Sequence, residues 1–198
     1  MKTIKINKTR VTKQALAAAV KVLRSGGVVV HPSESSYGLA IDPTNPEAIK
    51  LLFRLKRRSS GKPVLLAASS LLQASSVVRL SSRLKELALR HWPSPLTVIA
   101  PARKRLDLAG TGRPTRQIAV RVPADIWLRA LAEEFGHPVT STSVNLSGHP
   151  AAYSASEVRR TFAGRKYRPD LLLDAGTLPP QPPSTVVRQC GRNIIVLR

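Results

Sequence analysis

Cys190 is the only cysteine in 198 residues, which excludes an intrachain disulfide and a cysteine-only metal cluster. Four histidines, His31, His91, His137 and His149, fall in no HxH or HExxH spacing, so no zinc site built by the protein is expected. Aromatic residues make up 4% of the chain, too few for a surface that reads single strands by stacking bases. No apolar run approaches the roughly 20 residues that cross a bilayer. The basic start, Met1-Lys2-Thr3-Ile4-Lys5-Ile6-Asn7-Lys8, lacks the apolar core of a secretory leader, so the expected location is cytoplasmic, with no membrane partner. The phosphate-binding signatures GxxxxGK[ST] and GxGxxG are both missing. Glu34 has no carboxylate beside it in sequence, and no Ser-His-Asp spacing appears, which leaves hydrolase chemistry weakly supported.

Acidic residues are scarce as well, and their shortage sets up the strongest positive feature. Thirty-two Lys and Arg against eleven Asp and Glu give a net charge of +21, an attractive field for the phosphates of nucleotides or of RNA. The cations lie in many small groups, so general basicity accounts for the same number. Hydrophobic residues at 42%, in regular runs separated by turn signals, argue for a folded chain rather than a disordered basic one. At this length one domain over residues 1–198 is expected, burying roughly 70% of its unfolded surface.

The runs alternate between two periods. Ala15, Leu16, Ala19, Val20 and Leu23 recur at helical spacing after Thr12, and Gly26-Gly27 stops them. Val28–Val30 is β-branched and ends at His31-Pro32, where the hydroxyl-rich loop Ser33-Glu34-Ser35-Ser36 begins; Tyr37 to Ile41 is again extended. Thr44 and Glu47 fit a capping box, with Pro46 in the first turn of a helix that ends at Lys56-Arg57-Arg58. Strands are expected at Val64–Ala68, Leu96–Ala100, Ile118–Val122, Val139–Ser143, Leu171–Asp174, Ser184–Arg188 and Ile194–Leu197. Helices are expected at Leu71–Val78, Ser82–His91, from Asp125 to Gly136, and after the Ser154/Glu157 capping box. Arg103–Gln117 reads as a mobile loop. The pattern is α/β around one sheet, mixed because the last strands lack intervening helices.

Ligand sites in α/β sheets collect where strands end in loops, and three loops here are chemically rich: Pro32–Ser36, Lys56–Lys62 and Ser141–Ser147. Lys56-Arg57-Arg58 with Lys62 places four cations in seven residues, enough to neutralise a triphosphate; cations favourably placed against a helix dipole would look the same. Ser141-Thr142-Ser143-Val144-Asn145-Leu146-Ser147 offers hydroxyls and an amide after a strand, and a capped turn would too.

Taken in order, these strings resemble those of the YrdC-like family, in its short, TsaC-type threonylcarbamoyl-AMP synthase form. His31-Pro32-Ser33-Glu34-Ser35-Ser36-Tyr37-Gly38-Leu39 is similar to that family's YPTETxYGLG, Lys56-Arg57-Arg58 to its KxR, and Trp92-Pro93-Ser94-Pro95-Leu96-Thr97 to its WPGPLT. Ala119-Val120-Arg121-Val122-Pro123 resembles AVRVP and Ser143-Val144-Asn145 its SxN, while Pro183–Val187 and Leu197-Arg198 resemble the terminal strands.

The resemblance implies an open, twisted, mixed α/β sheet flanked by helices, with a basic concave face. It implies synthesis of L-threonylcarbamoyl-adenylate and pyrophosphate from L-threonine, bicarbonate or CO2, and ATP, serving adenosine 37 of tRNA. By motif, Lys56, Arg58, Ser143 and Asn145 are the catalytic candidates; Lys56, Arg58, Lys62, Ser141 and Arg198 would meet ATP; and Ser35, Arg121, Ser143 and Ser184 would meet threonine. Mg2+ is expected through the ATP phosphates, with no metal bound by the protein. tRNA or other RNA and proteins of a threonylcarbamoyl-transferase complex are the further partners implied. Several residues depart from the pattern: His31 replaces Tyr, Ser33 and Ser35 replace Thr, Ser94 replaces Gly and Val144 replaces Ala. His31 would either add pH sensitivity or fill space. The added domain of longer relatives is expected to be absent. The alternative function is a basic RNA-binding protein, associated with rRNA or tRNA, that does not adenylate.

Overall fold

The computed structural model describes residues 1–198. In chain order the elements are β1 (Lys2–Lys5), α1 (Lys13–Arg24), β2 (Val29–His31), β3 (Gly38–Ala40), α2 (Pro46–Lys56), β4 (Leu66–Ala67), α3 (Leu71–Val77) and α4 (Ser82–His91). Then follow β5 (Leu96–Pro101), β6 (Gln117–Arg121), α5 (Ile126–Phe135), β7 (Val139–Thr140), β8 (Thr142–Ser143), α6 (Ala155–Phe162), β9 (Leu171–Asp174), β10 (Thr185–Cys190) and β11 (Asn193–Val196).

Successive side chains of a strand point to opposite faces, and the core divides accordingly. Val28, Val30, Leu39, Ile41, Leu66 and Leu172 join the larger cluster beneath α2, α3, α4 and α6. Their neighbours Val29, Ala40, Ala67, Leu171 and Leu173 join a second cluster with Ala15, Ala19, Val20 and Leu23 of α1 and Trp127, Leu128, Leu131 and Phe135 of α5. Helices therefore cover both faces of an α/β core. Each fully buried leucine contributes about 2 kcal/mol of transfer free energy.

The hydrogen bonding corrects the expectation of one sheet. Five strands run in the order β1-β9-β2-β3-β8 and six in the order β11-β10-β5-β6-β4-β7, both mixed in direction. The stretch 139–143, expected to be one strand, is two, and Ser141 alone carries the chain from the second sheet to the first. The sheets are stitched there: the Ile41 amide donates to Thr140 Oγ1 (3.1 Å) and the Thr140 amide to Ile41 O (3.2 Å). Strand β1, absent from the sequence expectations, pairs in parallel with β9 at an edge.

Two smaller expectations are also corrected. Asn45, not Thr44, caps α2: its Oδ1 accepts from the Glu47 and Ala48 amides at 2.9 and 3.2 Å, while the Thr44 amide and hydroxyl donate to Asp42. One carboxamide oxygen thus satisfies two of the orphan amides at the start of the helix. The 103–117 segment lacks helix but is fastened to the body. Leu106, Leu108 and Ala109 are buried, and the Gly61 and Val64 amides donate to Ala109 O and Leu108 O, both at 2.9 Å.

Asp125 caps α5 as expected, accepting from the Leu128 amide at 2.9 Å. Burial pushes its carboxyl up to about 6; the Leu128 amide opposes the shift and the Glu34 charge adds to it. The folded protein thus holds this proton more tightly than the unfolded chain. The corresponding stability is complete below pH about 4 and is lost as pH rises through about 6, a span worth about 3 kcal/mol. Asp125→Asn keeps a capping oxygen and removes the charge. Its thermal midpoint is expected to exceed that of the wild type by about 6–12 °C at pH 7.5 and to match it near pH 4, measured by circular dichroism.

Candidate active site

Lys56 is the last residue of α2, which ends because Arg57 adopts the left-handed conformation at φ 47. That turn drives the Lys56 side chain inward, where it is only 2% exposed. Its ammonium donates to Ser143 O, to Asn145 O at 3.2 Å and to Asn145 Oδ1 at 2.7 Å, three acceptors for three protons. The Lys56 carbonyl accepts from the Ser147 amide at 2.9 Å. Main chain and side chain of one lysine thus pin the 143–147 turn. No carboxylate balances the charge, and burial, with the Arg58 charge adding, pushes the ammonium down to about 7. Arg58 is aimed by the carbonyls of Lys62 and Pro63, to which its Nε and a terminal nitrogen donate at 3.0 and 3.1 Å.

Two adjoining cavities open here. The larger, about 560 Å³, is walled by both sheets and includes Ser35, Arg58, Arg121, Ser141, Ser143 and Arg198, with Ser184. The smaller, about 230 Å³, contains Lys56, Arg58, Lys62, Ser143 and Asn145. Arg58, Thr142 and Ser143 belong to both. All ten residues singled out from sequence therefore lie in one connected site, with Lys56 and Arg58 on the same side as Ser143 and Asn145. Five of its lining side chains are cationic and none is a carboxylate.

Most of these side chains are held by nearby partners. Ser143 Oγ donates to Asn145 Oδ1 (2.8 Å), and Asn145 Nδ2 donates to His149 O (2.6 Å). Ser184 and Thr97 share a hydroxyl–hydroxyl bond of 2.8 Å, and Arg198 donates to Ser184 O at 3.2–3.3 Å. The Ser35 amide donates to Ser33 Oγ (3.3 Å), and Ser33 donates to Ser36 O (2.6 Å), so this serine shapes the loop that carries Ser35.

Arg121, at the end of β6, is 5% exposed and pairs with Glu34 Oε2 at 3.3 Å. The other Glu34 oxygen accepts from the Ala124 and Asp125 amides, so the start of α5 fixes the carboxylate that fixes the arginine. Glu34 and Thr97 are site residues to which the sequence reading assigned no role. Glu34 has no neighbouring acid in sequence, and its partners are a cation and two amides far along the chain.

His31 resolves in favour of filling space. It is fully buried, its Nδ1 donates to Pro32 O (2.7 Å), and burial holds it down at about 4. A Cβ on its cross-strand partner Gly38 would lie 2.6 Å from His31 Cε1, so the imidazole takes the room that the glycine leaves. Titration near 4 removes it as a sensor between pH 5 and 8.

Residues 21–198 match the family model Sua5_yciO_yrdC, described as telomere recombination. The threonylcarbamoyl-AMP synthase of Thiobacillus denitrificans is 39% identical over 166 residues, covering 78% of this chain and 88% of that protein. The enzyme of the same name from Idiomarina loihiensis is 35% identical over 187 residues, 92% of this chain and 96% of its own. Among solved structures, Sua5 of P. abyssi in complex with L-threonine superposes with a TM-score of 0.89 at 27% identity. It covers all of this chain, which spans 57% of that one. E. coli YciO superposes with a TM-score of 0.86 at 26% identity, covering 100% of this chain and 95% of YciO. With nearly its whole length matched by the family model and its fold shared with these structures, the chain belongs to the Sua5/YciO/YrdC family.

Proposed function

We propose that the connected site joins L-threonine, bicarbonate or CO2, and ATP into L-threonylcarbamoyl-adenylate and pyrophosphate, for threonylcarbamoylation of tRNA in the cytoplasm. The observation that carries this reading is the convergence of Lys56, Arg58, Ser143 and Asn145 at the junction of the two cavities. The threonine amine captures CO2 as a carbamate, giving up a proton to solvent. A carbamate oxygen then attacks the α-phosphorus as the bond to pyrophosphate breaks. Such a transfer asks for positioning and charge neutralisation rather than a protein nucleophile, and the lining offers cations and hydroxyls.

In this reading Lys56, Arg58 and Lys62 neutralise the phosphates in and beside the smaller cavity, and Arg198 and Ser141 border the nucleotide. Arg121 pairs with the amino-acid carboxylate, with Ser35, Ser143 and Ser184 supplying hydroxyls around threonine. Magnesium would be held by the phosphates, because the lining residues include no carboxylate to ligate it. The product then passes to the proteins that transfer the threonylcarbamoyl group to tRNA. The test is pyrophosphate release by purified protein with ATP, Mg2+, bicarbonate and threonine. Release that requires threonine and bicarbonate is expected, and equal release without threonine would overturn the reading.

A further inference from the structure

Arg58 lines both substrate cavities and also a third, of about 650 Å³, between the carboxyl end of α2 and the turn after α6; no other residue is shared between that cleft and the substrate site. The cleft carries Arg54, Arg57, Arg58, Arg165 and Lys166 and no carboxylate. None of these five cations makes a salt bridge with an acid of the chain. Arg54, Arg57 and Lys166 are exposed. Two of the five are steadied without being neutralised: Arg165 Nε donates to Thr161 O at 2.7 Å, and the Arg54 guanidinium stands 5.6 Å from the centre of the Tyr167 ring. Of the five N–H donors of Arg58, two go to the carbonyls of Lys62 and Pro63, which leaves three for anions.

Five like charges around one cleft repel one another, and a small anion with several charges relieves that repulsion. One phosphate group carries about 1.5–2 negative charges near pH 7, too few for five cations, whereas two linked phosphates come close to balancing them. Four of the five are arginines, whose forked donors match phosphate oxygens in pairs. On the other side of the shared residue, Lys56 and Lys62 line the smaller substrate cavity with Arg58. A pyrophosphate freed there that moves out past Arg58 exchanges two lysines for Arg54, Arg57, Arg165 and Lys166, and keeps Arg58 throughout. The geometry points to this cleft as a second pyrophosphate site, outside the substrate cavities, that receives the leaving group on its way to solvent. The role as an exit rests on the proposed reaction, and the site itself does not. Pyrophosphate already bound outside blocks departure from inside, so added pyrophosphate should slow turnover in a way that more ATP does not reverse.

The test is calorimetric titration of pyrophosphate into the full chain with Mg2+, without ATP or threonine, at about 50 mM salt, where exposed charges are weakly screened. Two equivalents are expected to bind. Arg54→Ala/Lys166→Ala, both positions being exposed and outside the substrate site, should keep the wild-type circular dichroism spectrum and one equivalent, and bind the other about tenfold more weakly or worse. Lys62→Ala, exposed and lining the smaller cavity alone, should weaken the opposite equivalent. At about 200 mM salt the outer equivalent should fade first, because its exposed cations are screened more than the buried Lys56. A single equivalent in the wild type, or two intact equivalents in the double variant, would overturn the site. Binding is read without turnover, so its failure is distinguishable from a failure of the proposed reaction. In steady state, pyrophosphate should inhibit the wild type even at saturating ATP, and the double variant should need about tenfold more pyrophosphate for the same persistent inhibition. Equal persistent inhibition of both proteins would overturn the exit role.

Discussion

Lys56→Met is expected to lower threonine-dependent pyrophosphate release by a factor of about 100–1000, the usual loss when one preorganised donor is removed from developing charge. Two effects combine. The variant removes a buried positive charge from the junction of the cavities, and it releases the three oxygens of Ser143 and Asn145 that the ammonium holds. Lys56→Arg keeps the charge but puts a planar fork where three converging acceptors suit a compact ammonium, so it should also be impaired. Full activity in both variants would move the reaction elsewhere. Proton linkage gives a second readout. With the free ammonium pushed down to about 7, much of it is neutral at pH 8, and a triphosphate beside it restores the charge. Calorimetry of ATP binding at pH 8, in buffers of differing ionisation enthalpy, should show proton uptake that the Lys56→Met variant lacks.

The second large effect falls on threonine. Glu34→Gln leaves an acceptor for the Ala124 and Asp125 amides but takes the charge from the partner of Arg121. Arg121→Lys keeps a charge and loses the fork. Both are expected to raise the KM for threonine about 10- to 100-fold, in line with about 1.5–3 kcal/mol for a hydrogen bond to a charged group. The KM for ATP should stay near the wild-type value. Steady-state kinetics in each substrate separates the outcomes: an equal rise in both constants would mean that the pair merely supports the fold. Arg121→Ala is the poorer probe, because it strands the Glu34 carboxylate with no cation.

The pieces of the site were legible in sequence because cations at a helix end and hydroxyls after strands are local signals. Their convergence was implied only by the family resemblance, since Lys56 meets Ser143 and Asn145, and Glu34 meets Arg121, across long stretches of chain. The division into two sheets was illegible because β4, β7 and β8 are two residues each, too short for an alternating pattern. Strand β1 did leave a trace. Ile4 and Ile6 alternate with polar residues and pack on the α1–α5 core, but two apolar positions among lysines are too few to set a strand period. The 103–117 segment misled in the opposite direction. Its glycines and cations suggested freedom, while Leu106 and Leu108, spaced by one residue, were the anchors.

The single-residue step at Ser141 has a bearing on how such chains can vary in length. With Thr140 committed to β7 and Thr142 to β8, the registers Leu66↔Thr140 and Leu39↔Thr142 leave one link to join them. An inserted residue would slide β8 by one position and turn the Ser143 hydroxyl to the opposite side of its strand, and a deletion would pull one of the pairings apart. Insertions and deletions are therefore confined to other connections, such as the proline-rich 179–183 stretch or the exposed turn at Gly191, while the 140–142 link count stays constant.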